Sequence, residues 1–158
     1  MLLPRSEFPD GNFHFSPIRT VDGLDPTTDE CDPRGWVRDG DQETAANVTF
    51  DEPNFIRYNI ELFAVHTDPG LAEWEVECLP YSDSRTTFQP ANLPGAPEWA
   101  TTIEVYGPNS ESTAYSAVGY YRGILVQAYV SGNRDDLNSD ALELVALLFQ
   151  KQVERLQV

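Results

Sequence analysis

Lysine is almost missing from this chain: of its ten basic residues only Lys151 is lysine, the other nine are arginine, and they face 26 aspartates and glutamates. The resulting formal net charge is −16. A field of that sign repels phosphate backbones and anionic headgroups, which argues against nucleic acid and direct lipid-surface binding. It permits cationic ligands, divalent metals or a basic protein face, although solubility outside the cell is its plainer meaning. Histidine is nearly as scarce, with His14 and His66 far apart. There is no glycine-framed serine, P-loop, dinucleotide fingerprint, H-E-x-x-H or C-x-x-C, so no catalytic residue, metal site or cofactor is expected. No apolar run approaches the ~20 residues of a membrane-spanning helix. Met1-Leu2-Leu3-Pro4 has neither the basic nor the long apolar region of a signal peptide. An export signal or lipid anchor is therefore expected upstream of residue 1.

Cysteine occurs twice, as Cys31 in Asp29-Glu30-Cys31-Asp32-Pro33 and as Cys78 in Glu75-Val76-Glu77-Cys78-Leu79-Pro80. Neither has a second cysteine or a histidine at zinc spacing. Acidic neighbours raise a thiol pKa, which argues against an activated nucleophile. A disulfide or two inert thiols remain, and the even count favours the disulfide. Closing the segment 31–78 would contribute about 4 kcal/mol in the loop-entropy model and implies an oxidising compartment.

What the chain does have is enough apolar sequence for a core. Its 158 residues are 41% hydrophobic, which fits one domain over 1–158. Residues 1–45 read as a loop-rich N-terminal arm with five prolines and Asp-Gly turns, a short strand at Asn12–Ser16, and anchors at Cys31 and Trp36. Residues 46–158 hold the sheet and helices. Strands are expected at Ala46–Phe50 and Arg57–Val65, the second with Tyr58, Ile60, Leu62 and Ala64 on one face. Asp68-Pro69 then reads as the cap and first residue of a short helix that buries Leu71, Trp74 and Cys78 and turns Glu73 and Glu77 outward. A strand with Trp74, Val76 and Cys78 in register competes with it. After a turn-rich stretch at 81–98, with a strand near Arg85–Phe88, come strands at Ala100–Tyr106, Thr113–Tyr120 and Gly123–Val130. The last two are joined by a tight turn at Tyr121-Arg122-Gly123. Asn138-Ser139-Asp140 caps a helix from Ala141 to about Leu156, with a stripe of Leu142, Val145, Leu148, Phe149, Val153 and Leu156. The fold class is α+β: an antiparallel sheet of about five strands, a short central helix, a C-terminal helix packed on the sheet, and one disulfide.

Candidate chemistry is thin. His66 beside Asp68 could be drawn as a base with its orienter, yet no serine is framed for it. Asp39-Gly40-Asp41-Gln42-Glu43 alternates carboxylates as calcium loops do, but the sixth and twelfth positions fail the EF-hand pattern, leaving a solvated acidic loop. Asn47-Val48-Thr49 fits a glycosylation sequon inside an expected strand. Tyr106, Tyr115, Tyr120 and Tyr121 lie in or beside the late strands, where rings line a ligand groove or pack on a sheet face.

Several of these features lie together in one known layout. They are Leu2-Leu3-Pro4 with Phe8-Pro9-Asp10-Gly11, the cysteine in an acidic arm (Cys31), the cysteine ending a short helix (Cys78), the hairpin Gly119-Tyr120-Tyr121-Arg122-Gly123-Ile124-Leu125-Val126, and the terminal helix. In that layout the chain resembles exported actinobacterial envelope proteins, both small lipoproteins and the PknH-type extracellular sensor domains of mycobacterial kinases. The resemblance implies an antiparallel sheet with packed helices, an envelope location and a sensing or binding role without catalysis. The sensor domains carry a further disulfide that this chain has no cysteines for, so no ligand cleft is carried over. The expectation is an extracytoplasmic binding or sensing module, monomeric, with a small molecule or an envelope protein as partner and a membrane anchor outside the chain. An interaction subunit of an envelope complex is the alternative, and a hydrolase with an unrecognised site the distant one.

Overall fold

Alternation along β3 (Arg57–Ala64) puts Tyr58, Ile60 and Leu62 on one face, and all three are buried. The computed structural model describes residues 2–8, 11–21, 31, 43–52, 55–64 and 70–157. The other strands are β1 (Asn12–Val21), β2 (Glu43–Asp51), β4 (Tyr81–Ser82), β5 (Thr87–Pro90), β6 (Thr101–Tyr106), β7 (Ser112–Tyr121) and β8 (Ile124–Asn133). They form one sheet in the order β1-β2-β3-β8-β7-β6-β5-β4, every neighbouring pair antiparallel. The chain lays down β1 to β3, crosses through α1 (Leu71–Cys78) to the far edge, and meanders back until β8 pairs with β3.

The α+β class, both helices and the disulfide stand as read from the sequence; the sheet has eight strands rather than about five. In the turn-rich stretch β5 answers to the strand expected near Arg85–Phe88, and β4 is new, the two forming a small hairpin. β1, expected as a short strand over Asn12–Ser16, runs on to Val21. It passes Pro17 because the β1–β2 register shifts between Ser16 and Arg19, and β1 is an edge strand. A proline without an N–H fits at such an irregular edge and nowhere in a central strand. Trp36, the Asp39–Gln42 stretch, His66 and Asp68 lie outside the described residues.

Helix α1 begins at Leu71, with Gly70 at its N-cap, and not at Pro69. Gly70 has φ of 69°, a left-handed conformation that cannot continue a right-handed helix backwards. Trp74 and Cys78 are buried and Val76 is 85% exposed, which rules out the strand register of those three. Helix α2 (Ser139–Leu156) is capped as expected, the Asn138 side chain accepting from the Ala141 N–H at 3.1 Å. It packs on β3, β7 and β8. Its buried face holds Val145, Leu148, Phe149 and Val153, over Ile60, Ala117, Val126 and Ala128 of the sheet.

The two helices cover opposite faces. Ala117 belongs to the cluster under α2, whereas Ile103 and Phe88 belong to the cluster of Trp74, Cys78 and Cys31. Ala117 pairs with Thr102, one residue from Ile103, and adjacent strand residues point to opposite sides. On that second side Cys31 and Cys78 are disulfide-bonded, with Cα atoms 5.4 Å apart. The indole N–H of Trp74 donates to the Cys31 carbonyl at 3.0 Å.

Candidate functional site

The two faces of the central strands differ in chemistry. Beneath α2 the central strands present mainly apolar side chains, among them Ile60, Leu62, Ala117, Val126, Ala128 and Val130. On the other face Asn59 of β3, Gln127 of β8 and Ser116 of β7 are only 4%, 7% and 2% exposed. Burying a polar group without a partner costs about 1–3 kcal/mol, so such groups are normally satisfied. Most here are. Thr49 donates to Asn59 Oδ1 at 3.1 Å, and Asn59 donates to Glu61 Oε1 at 3.0 Å. Gln127 Nε2 donates to Ser116 Oγ at 3.0 Å, and the Ser116 hydroxyl points its proton at the Ala128 carbonyl, 3.4 Å away. With that proton committed, Ser116 Oγ accepts from the amide nitrogen, which fixes the orientation of the carboxamide. Gln127 Oε1 is then buried with no hydrogen-bond donor among the described residues.

Gln127 lies in the wall of a cavity of about 910 Å³, a volume in the range of small-ligand sites. Strands β7 and β8 contribute Ala114, Ser116 and Tyr129; toward α1 the wall is Phe88, Ile103 and Val105. The β2–β3 turn and the strand ends beside it supply the rim, with Asp51, Glu52, Phe55 and Arg57. Arg57 is committed to Asp51, its Nε and Nη2 reaching the two carboxylate oxygens at 2.6 and 3.2 Å. This fork holds the Asp51 carboxyl below its ordinary range, chiefly through the hydrogen bond. Phe55 is 92% exposed, and its φ is 66°. A bulky residue in the left-handed region is strained. The turn holds it there with paired backbone bonds, Glu52 N–H to Ile56 O at 2.8 Å and Phe55 N–H to Glu52 O at 3.1 Å.

Of the four tyrosines singled out in the sequence, Tyr106 alone lines this cavity, and its ring lies under the Arg134 guanidinium at 4.9 Å. Tyr115 and Tyr121 pack against the cluster beneath α2. The Tyr115 hydroxyl donates to Glu104 Oε1 at 3.2 Å, and burial pushes that phenol's pKa up, with the Glu104 charge adding to it. Tyr120 is half-buried beside Leu125 across the β7–β8 hairpin. Glu104 is a hub on the α2 side: it also accepts from Thr113 at 3.1 Å and Gln89 at 2.8 Å, and pairs with Arg134 at 3.6 Å.

Neither a known protein family nor a curated protein matches the chain. The functional reading therefore stands on the groove itself. Sequence reasoning had passed over Gln127, Ser116, Phe55 and Tyr129. One signal was present: Gln127 is the single strongly polar residue in the run Ile124-Leu125-Val126-Gln127-Ala128-Tyr129-Val130.

Proposed function

We propose that the chain is an exported, non-catalytic binding or sensing module of the cell envelope, and that the groove on the β7–β8 face is its ligand site. One observation carries this reading: a cavity of about 910 Å³ opens on this face, and its wall includes the polar side chains of Ser116 and Gln127 between apolar ones. A face built only for packing would be filled with aliphatic side chains like those under α2; this one keeps polar groups and space. Export is supported by the Cys31–Cys78 bond, since disulfides persist in oxidising compartments. Among the described residues no helix is long and apolar enough to cross a membrane.

The test uses Nile red, an uncharged fluorophore that brightens in apolar sites, with the wild type and Ala114→Trp. Ala114 lines the groove from β7, and an indole there would occupy it. Saturable one-to-one binding by the wild type, lost in a variant with an unchanged circular dichroism spectrum, is the expected result. Non-saturable binding, or binding indifferent to the tryptophan, overturns the reading. For the compartment, alkylation without reductant should leave both cysteines unmodified in chain recovered from its native host.

A further inference from the structure

We infer that the groove binds an uncharged, extended glycan: a linear chain of pyranose rings laid across the strands, with hydroxyls on the Asp51–Arg57 fork and one ring face against Phe55. This rests on the groove being the ligand site, and it specifies the class of molecule that the site takes.

Three observations converge, each on side chains that reach the surface. The first is a row. Followed from strand to strand, the register sets Asn12 beside Asp51, Asp51 beside Arg57, Arg57 beside Ser131, Ser131 beside Ala114, and Ala114 beside Val105. All six line the cavity, and none of them is buried. Six neighbouring strands set about 4.8 Å apart make this row about 24 Å long, a trough for a chain and not for a single ring. The second is the polar end of the row. Both Asp51 oxygens accept from the Arg57 guanidinium, yet the two side chains stay 27% and 56% exposed. A carboxylate has about four lone-pair sites and a guanidinium five N–H groups, so the fork leaves acceptors and donors side by side. Asn12 and Ser131 likewise donate and accept, and hydroxyl groups, which also do both, match them all. An anionic ligand would meet Asp51 and Glu52, and a cationic one Arg57. The third is Phe55, whose ring is 92% exposed on the rim at a φ of 66°. Backbone strain that presents a ring to solvent gives the free protein nothing. It stations a flat, electron-rich apolar face beside the trough, and the C–H face of a pyranose ring covers such a surface.

Isothermal titration with three uncharged saccharides decides the matter. Cellopentaose has β-linked rings in an extended chain, maltopentaose has the same rings in an α-linked chain that curves, and cellobiose is too short to span the row. Cellopentaose should bind one to one, about 10-fold or more tighter than either of the others. Ala114→Trp interrupts the row and should bring cellopentaose down to the affinity of cellobiose. Phe55→Gly removes the ring and the left-handed strain together. It should therefore weaken cellopentaose several-fold while leaving the melting temperature level or raised. Equal affinity for the two pentasaccharides overturns the inference, as does a preference for cellopentaose over cellobiose that survives Ala114→Trp. A lower melting temperature in Phe55→Gly overturns it too, since the ring would then serve the fold. If Nile red binds the groove saturably and no saccharide does, the ligand class is wrong and the groove stands; if Nile red fails as well, the groove reading falls with it.

Discussion

At Gly119 a single carbon atom decides the packing. A Cβ built there would lie 2.3 Å from Trp99 Cζ3 and 3.1 Å from Phe149 Cζ, far inside van der Waals contact. Trp99 lies against Phe149 with ring centroids 5.6 Å apart, yet it is 51% exposed and can swing outward. Gly119→Ala should therefore displace the indole instead of unfolding the chain, lowering stability by about 1–3 kcal/mol in urea titrations and red-shifting tryptophan emission. Tyr58 sets a pH response. Burial, then the neighbouring Glu52 charge and its hydrogen bond, push the phenol well above its ordinary value of 10. A group whose folded pKa is raised contributes its full stability below the unfolded value and loses it above. The urea midpoint should thus fall as pH rises past about 10, and less steeply in Tyr58→Phe. The glycine in the 121–123 turn could be read in advance, because tight hairpins need positive φ, and both Arg122 (49°) and Gly123 (83°) have it. Gln127 and the separation of the four tyrosines could not: alternation shows that neighbouring side chains part company, not which face a helix will cover.

Periodicity served the longer strands and α2 well because their burial is one-sided. The β7–β8 hairpin and β3 lie within two or three residues of where alternation puts them. The start of α1 was misread, since Asp68-Pro69 is a good local signal that the left-handed Gly70 overrides. In α2 the pattern missed Gln152, which is fully buried in the stripe. Its Oε1 accepts from the Leu3 N–H at 3.0 Å. Nearby Lys151 pairs with Glu7, and Leu2, Leu3 and Phe8 join the cluster under the helix. The start of the chain is thus held by a residue that looks surface-exposed by type. Gln152→Leu should leave α2 intact by circular dichroism but strand the Leu3 amide, costing about 1–3 kcal/mol. The amides of residues 2–8 should lose hydrogen-exchange protection ahead of the sheet; uniform loss across the fold would show that the segment is no separate clasp.

The strand order is where local signals stop. Nothing in the sequence of β3 indicates that its partner will be β8, because the pairing closes only after α1 has carried the chain to the far edge and five strands have returned. Such a path makes the placement of α1 critical, and the disulfide acts there. It ties residue 31, which precedes β2, to the end of α1, across the face that carries the groove. In the loop-entropy model, removing it lowers stability by about 4 kcal/mol, a large share of the 5–15 kcal/mol typical of a domain. The Cys31→Ala/Cys78→Ala double variant should unfold at correspondingly lower urea. Because Trp74 is fully buried and donates to the Cys31 carbonyl, its indole should become accessible to acrylamide before the sheet is lost. The α1-side wall of the groove, Phe88 and Ile103, belongs to the same cluster as Trp74 and Cys78. Loosening the staple should therefore weaken Nile red as well, while leaving the α2 face protected from hydrogen exchange. An unchanged urea midpoint, or loss of protection on both faces together, would mean that the bond neither stabilises the fold nor shapes one side of it.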